Sequence, residues 1–358
     1  MKNVLFVLSL AALAVASLAV VSLAVAQDSG PNKVLQKARV GGEGRFDYVF
    51  ADSDGRKLYV PRTQTSPRVS VYDLDSLKLL AEIPNVNARG VAVDPKSGHG
   101  FASSSPVAMF DTKTSAPIKT IEVQGGPDGI LFDPFNERVW IFSHRAPNAT
   151  IIDTKDGSVV GTLDLGGAPE QAVTDGKGHM WVDLEDKDSI AAVDTKELKV
   201  TATYGLDGKG GGPGGLAFDA KNRILFATCH NPATMVILNA DTGKVIDALP
   251  IGMGTDGATF NPKTMEAFSS NGDGTLTVIK DDGGTKFSVE QNVATMRGAK
   301  TLTLDSKTNR VLMIAAETQP APPPPPDAAP KADQKGGGRG RGGIMVPDSF
   351  TIVVVGTK

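Results

Sequence analysis

Cysteine is nearly absent from this 358-residue chain: Cys229 is the only one. One thiol cannot form an internal disulfide, so packing must hold the fold together. Cys229 closes an apolar, strand-like run and is expected to act as a buried small hydrophobe rather than a reactive thiol. Net charge is also scarce, with 37 basic against 40 acidic side chains. A field that weak and negative does not favour a nucleic-acid backbone or an anionic membrane. No stretch beyond the N-terminal leader sustains a helical 3.6-residue period, which argues against a helical fold. The sequence has no His-Glu-x-x-His, no Gly-Lys-Ser/Thr phosphate loop and no Gly-x-Ser-x-Gly elbow, which removes the commonest hydrolase and nucleotide-binding signatures.

Residues 1–26 have the form of a secretory signal. Lys2 supplies the positive charge, an apolar stretch runs from Val4, and Ala24-Val25-Ala26 places small residues before a cut at Gln27. The apolar stretch is long enough to serve as an uncleaved anchor instead, but the cleavage site favours removal. Without Lys2 the formal charge moves from −3 to −4. No second apolar run of spanning length follows, so the mature chain is expected in the periplasm or outside the cell, off the membrane.

The rest of the chain repeats. An apolar run ending in Asp or Asn recurs at Asp52, Asp94, Asp133, Asp175, Asp219, Asn261 and Asp305, in steps of 42, 39, 42, 44, 42 and 44 residues. Each unit carries two further runs, such as Arg138-Val139-Trp140-Ile141-Phe142 and Thr150-Ile151-Ile152-Asp153, and a weaker fourth. Short β-branched runs separated by Gly, Asp, Asn and Pro are strands. Four antiparallel strands every 40–45 residues describe propeller blades. The expectation is therefore an all-β, seven-bladed β-propeller over 33–358. The last unit lacks a fourth strand, while Lys33-Val34-Leu35-Gln36-Lys37-Ala38 precedes the first unit and matches Lys244-Val245-Ile246-Asp247-Ala248-Leu249. The N-terminal strand is expected to complete the last blade and close the ring. Residues 317–347, rich in Pro, Gly and Arg, interrupt that blade and are expected to form a disordered loop.

Asn271-Gly272-Asp273-Gly274-Thr275-Leu276-Thr277-Val278-Ile279, the Asp-Thr-Lys and Asp-Thr-Gly-Lys unit ends and unit starts such as Gly126-Pro127-Asp128-Gly129 resemble the YVTN-repeat (YncE-like) propeller family, while the Tyr-Val start of the second strand survives only at Tyr59-Val60. The resemblance implies an exported binding protein, and in one branch a single-stranded DNA binder. No matching aromatic platform carries that last role across. Asp241-Thr242-Gly243-Lys244 is similar in part to quinoprotein docking segments, but Ile246 and Asp247 follow where an aromatic is wanted, which argues against a quinone.

Five residues before each marker lie Asp47, Arg89, Asp128, Glu170, Gly214, Asp256 and Lys300, at equivalent positions of the channel mouth. Arg45 and Arg297 lie nearby in sequence. The loops joining second and third strands bring Arg62, His144, Arg145, Glu185, His230, Asn231 and Asp273 to the same face, whereas His99 and His179 fall on the opposite one. These residues point to a non-catalytic propeller, expected to be a monomer, that binds a protein or small ligand over a charged mouth. A metal-dependent hydrolase of the lactonase type is the alternative: carboxylates would hold a divalent metal, and His144 or His230 would relay a proton. No catalytic residue is assigned and no cofactor is predicted beyond that possible metal. Nucleic-acid binding through the Arg-Gly loop, carried only by Arg339 and Arg341, is the least favoured reading.

Overall fold

The computed structural model describes residues 29–146, 148–320 and 344–358. The leader at 1–26 and the Pro/Gly/Arg-rich stretch 321–343, with Arg339 and Arg341, lie outside the described residues. Among the described residues no helix is long and apolar enough to cross a membrane.

The local chemistry of each unit explains its period. At all seven markers the side-chain oxygen accepts a backbone N–H two or three residues later. Asp52 takes Gly55 at 2.8 Å, Asp94 takes Lys96 at 2.9 Å, Asp133 takes Phe135 at 3.2 Å and Asp175 takes Lys177 at 2.8 Å. Asp219, Asn261 and Asp305 do the same with Lys221, Lys263 and Lys307. An Asx turn satisfies the backbone where the chain reverses, so Asp or Asn recurs there and other polar residues do not. A second set closes the turn into the fourth strand of blades one to six, as Asp73 with Ser76 and Asn239 with Thr242.

Seven four-stranded antiparallel blades result. Blade four is typical: its strands are Pro169–Thr174, His179–Leu184, Ser189–Asp194 and Lys199–Gly205, innermost first. The seven innermost strands each touch the next around a complete ring. In the last blade, Leu302–Asp305, Arg310–Ala315 and Thr351–Gly356 are completed by Lys33–Arg39, which pairs antiparallel with Thr351–Gly356. The expected closure is present. Flanking the undescribed stretch, Thr318–Gln319 pairs with Ile344–Met345 as a short ladder.

Every outermost strand carries one extra residue opposite its partner. The register skips Leu35, Leu80, Ile118, Val160, Thr201, Ile246 and Glu290. Leu35 and Ile246 are the residues that the sequence comparison aligned, so the N-terminal strand reproduces even the bulge of a fourth strand. Leu80, Ile118, Val160 and Ile246 are large apolar side chains left exposed at these bulges. A bulge twists an edge away from further pairing.

The core is divided by seam. One apolar cluster lies between each pair of adjacent blades: Tyr59, Val71 and Phe110 between blades one and two, Trp140, Phe142 and Val182 between three and four. Leu58, Tyr72, Leu312 and Ile352 fill the closing seam. Cys229 is fully buried between blades four and five, and burial pushes its thiol above the usual range.

Candidate functional site

The residue one step after each mouth position decides how closely the inner strands approach. Glycine occupies it in four blades, at Gly90, Gly129, Gly215 and Gly257. A Cβ on Gly129 would lie 2.2 Å from the Glu170 carbonyl oxygen, and one on Gly215 would lie 2.7 Å from the Gly257 carbonyl carbon. Blades one and four depart from this with Tyr48 and Gln171, and both use the space. The Tyr48 hydroxyl crosses from blade one to donate to Glu170 Oε2 in blade four at 2.8 Å. Gln171 Oε1 accepts the N–H groups of Leu216 and Ala258 at 3.0 and 3.1 Å, while its Nε2 donates to Ala258 O at 3.2 Å. These two side chains span the channel beneath the mouth, so the site is a cup with a floor. Sequence reading missed both; the signal was a long side chain where four other blades hold glycine and blade seven holds Thr301.

The charged positions sort into two sectors. In one, Arg89 Nη1 donates to Asp47 Oδ2 at 2.7 Å, and Lys300 contacts Asp256 and lies 4.0 Å from Asp47. Two cations there meet two carboxylates. Burial raises the Asp47 carboxyl above its ordinary range although both cations oppose that.

The other sector holds Asp128, Glu170 and Glu185 with His144 and His230. His144 Nδ1 is 3.0 Å from Glu170 Oε1, and its Nε2 is 3.5 Å from Glu185 Oε2. The first contact is close but misaligned, since the buried Nδ1 has no hydrogen-bond partner among the described residues. His230 Nε2 lies 3.9 Å from Glu185 Oε1. Gly214 makes that approach possible, because a Cβ there would meet His230 Nε2 at 2.9 Å. Histidines from the third and fifth blades thus meet over one carboxylate. One ligand atom each from Asp128, His144 and Glu170 falls within 4.8 Å of the others.

Electrostatics follow this crowding. Burial first, then Glu170 and Asp47, pushes Asp128 up to about 7. Glu170, with Glu185 and Asp128, holds His144 above its ordinary value. For Glu170, burial acts upward, but His144 and the Tyr48 hydroxyl outweigh it and the net shift is downward.

Other expected rim residues lie elsewhere. Arg62 is a correction: it is fully buried, its guanidinium carbon 3.4 Å from the Phe350 ring centroid, and its Nη2 donates to the Gly41 and Glu43 carbonyls. Arg45 and Arg297 are exposed and join none of the mouth ion pairs above. Asp273 caps its own loop, accepting Met253 N–H at 2.7 Å and Thr275 N–H at 3.0 Å. His99 and His179 sit at the opposite turns, on Thr154 O and Asp175.

No family model and no curated protein matches this chain at a significant level.

Proposed function

We propose that this propeller is an exported, monomeric, non-catalytic binding protein of the YVTN (YncE-like) kind, whose channel mouth takes a cationic ligand. The observation that carries the reading is the uneven charge of the cup. Arg89 and Lys300 form ion pairs with Asp47 and Asp256, whereas Glu170 and Glu185 pair with the His144 and His230 imidazoles, Glu170 also accepts the Tyr48 hydroxyl, and Asp128 is crowded beside them. A low-dielectric cup with excess carboxylate attracts positive charge and repels anions. Export rests on the leader at 1–26, and the family assignment on the 271–279 segment, the Asp-Thr-Lys and Asp-Thr-Gly-Lys unit ends and the Gly126-Pro127-Asp128-Gly129 unit start. The bulge on every outer strand supports a monomer, because it discourages edge pairing between rings.

The test is thermal melting of residues 27–358 with spermidine, arginine amide or citrate. A saturable rise with the cations, lost in Asp128→Asn and Glu170→Gln, supports the reading by mass action. Stabilisation by citrate in place of the cations would sink it.

A second reading, a metal-dependent lactonase-type hydrolase, is favoured by one observation: the convergence of Asp128, His144 and Glu170. A bound metal would polarise a carbonyl. Lactone turnover abolished by a chelator and restored by metal would establish it; no turnover across a lactone panel would remove it.

A further inference from the structure

Resting on the reading of the mouth as a cation site, we propose that Asp128, His144 and Glu170 hold one divalent transition-metal ion, with Glu185 and Tyr48 orienting the ligands. The ion is of the Zn²⁺ or Mn²⁺ class.

Three features beyond the clustering of acids carry this. The first is the environment of the imidazole. Nε2 of His144 faces Glu185 at 3.5 Å while Nδ1, buried and without a hydrogen-bond partner, faces the cup beside Glu170 Oε1. A carboxylate on the far ring nitrogen is the usual partner of a metal-bound histidine. It fixes the tautomer and frees the near lone pair. The second is the division of labour on Glu170. Its Oε2 is taken by the Tyr48 hydroxyl at 2.8 Å, which orients Oε1 toward His144. The third is Asp128, whose carboxylate accepts no hydrogen bond among the described residues although its backbone is pinned. Ser103 Oγ donates to the Asp128 carbonyl at 2.6 Å.

Spacing and donor type then select the ion. Ligand atoms about 2.0–2.2 Å from a metal span at most ~4.4 Å across it. Donors within 4.8 Å of one another therefore need only small side-chain rotations. One nitrogen and two carboxylates suit Zn²⁺ or Mn²⁺, whereas Ca²⁺ and Mg²⁺ prefer oxygen-only sets. Three protein ligands leave a coordination position open toward the mouth, the pattern of a site that receives a further ligand.

The experiment is calorimetric titration of chelator-stripped residues 27–358 with Zn²⁺ alone and with Mn²⁺ alone, the latter also followed by loss of the free-ion paramagnetic signal. One ion per chain is expected. Affinity should fall at least 100-fold in His144→Ala and Glu170→Gln, and about 10- to 100-fold in Glu185→Gln, as for other second ligand shells. His179→Asn, on the opposite face, should bind as wild type. Circular dichroism and melting of each metal-free variant separate loss of the site from loss of the fold. Undiminished uptake by a folded His144→Ala would overturn the proposal, as would absence of uptake by the wild type. Spermidine titrated in parallel distinguishes the two claims. If spermidine binds and no metal does, the cationic mouth stands and the metal seat falls; if neither binds, both fall.

Discussion

At the residue scale, one buried acid stands out from its equivalents. Ser103, Thr228, Ser270 and Asp183 occupy the same register in blades two, five, six and four. The Ser103 and Ser270 hydroxyls donate to the next blade's mouth residue, at the carbonyls of Asp128 and Lys300, both at 2.6 Å. Asp183 is fully buried, and among the described residues neither of its oxygens has a hydrogen-bond partner. Burial first, then Glu170, drives its carboxyl well above the ordinary range. A raised folded-state value means that stability is greatest below the unfolded value, near 4, and is lost as pH rises toward the folded one. Asp183→Asn, which keeps a donor and cannot ionise, should melt like wild type near pH 4. By pH 8 it should be more stable by about 1–3 kcal/mol. Parallel melting curves from pH 4 to 8 would show that the acid carries no such penalty. Neither Asp183 nor Tyr48 was legible in the sequence, because no repeated pattern marks either: three blades hold Ser103, Thr228 or Ser270 at the first position and four hold glycine at the second. The marker acids were legible because the same Asx turn recurs in every unit.

At the scale of elements, the turns opposite the mouth join neighbouring blades. Arg56 bridges Asp75 of its own blade and Asp305 of the last, at 2.6 and 2.8 Å; Arg223 bridges Asp241 and Asp175 at 2.6 and 3.0 Å. Burial would raise Asp305, but hydrogen bonds from Arg56, Thr308 and Ser53 outweigh it and hold the carboxyl at about 2. The sign is opposite to that of Asp183: this contribution is full above the unfolded value and is lost as pH falls from about 4 toward 2. Asp305→Asn should cost about 2 kcal/mol at pH 7. Its melting point should converge on wild type at the acid end; a constant gap would exclude the ionised pair as the cause. The closing seam makes a different demand. Arg62 is fully buried, and among the described residues its Nε and Nη1 have no hydrogen-bond partner, so its packing on Phe350 and its two carbonyl contacts must offset a desolvated charge. Arg62→Met, similar in volume, should be close to neutral, whereas Arg62→Ala should cost about 2–4 kcal/mol through the cavity. Equal losses in both would show that the charge matters more than the packing. Sequence order placed this arginine on a rim loop; its inward turn depends on an aromatic ring that arrives nearly 300 residues later and could not be read locally.

For the whole molecule, seven cores joined only at their seams raise the question of whether the ring melts blade by blade. An open array would fray from its ends. Here the end strand is paired on both faces of the problem: Ala38 faces Ile352 in the closing ladder, and Ile352 packs with Leu58 across the seam to blade one. Ala38→Pro removes a ladder donor. It should lower amide protection in every blade, including those around Trp140, in native-state hydrogen exchange. Protection lost in the last blade alone would show that the blades are independent. The blade number and the closing strand were readable from sequence because periodicity and an orphan strand are properties of order along the chain. The depth of the cup was not, since it depends on which blade's side chain reaches which other across the axis.

Closure also has a direction in time. Lys33 and its ladder partner Gly356 lie 323 positions apart. A chain made or threaded from its N-terminus presents residues 33–39 first and 351–356 last, so the six intervening blades must wait beside an unfinished sheet. A chain broken off anywhere before 351 keeps an unpaired segment at one end and an open edge at the other. Both are features that proteases and chaperones recognise. The ladder between Lys33–Arg39 and Thr351–Gly356 is therefore the last to form and the one that shelters both segments.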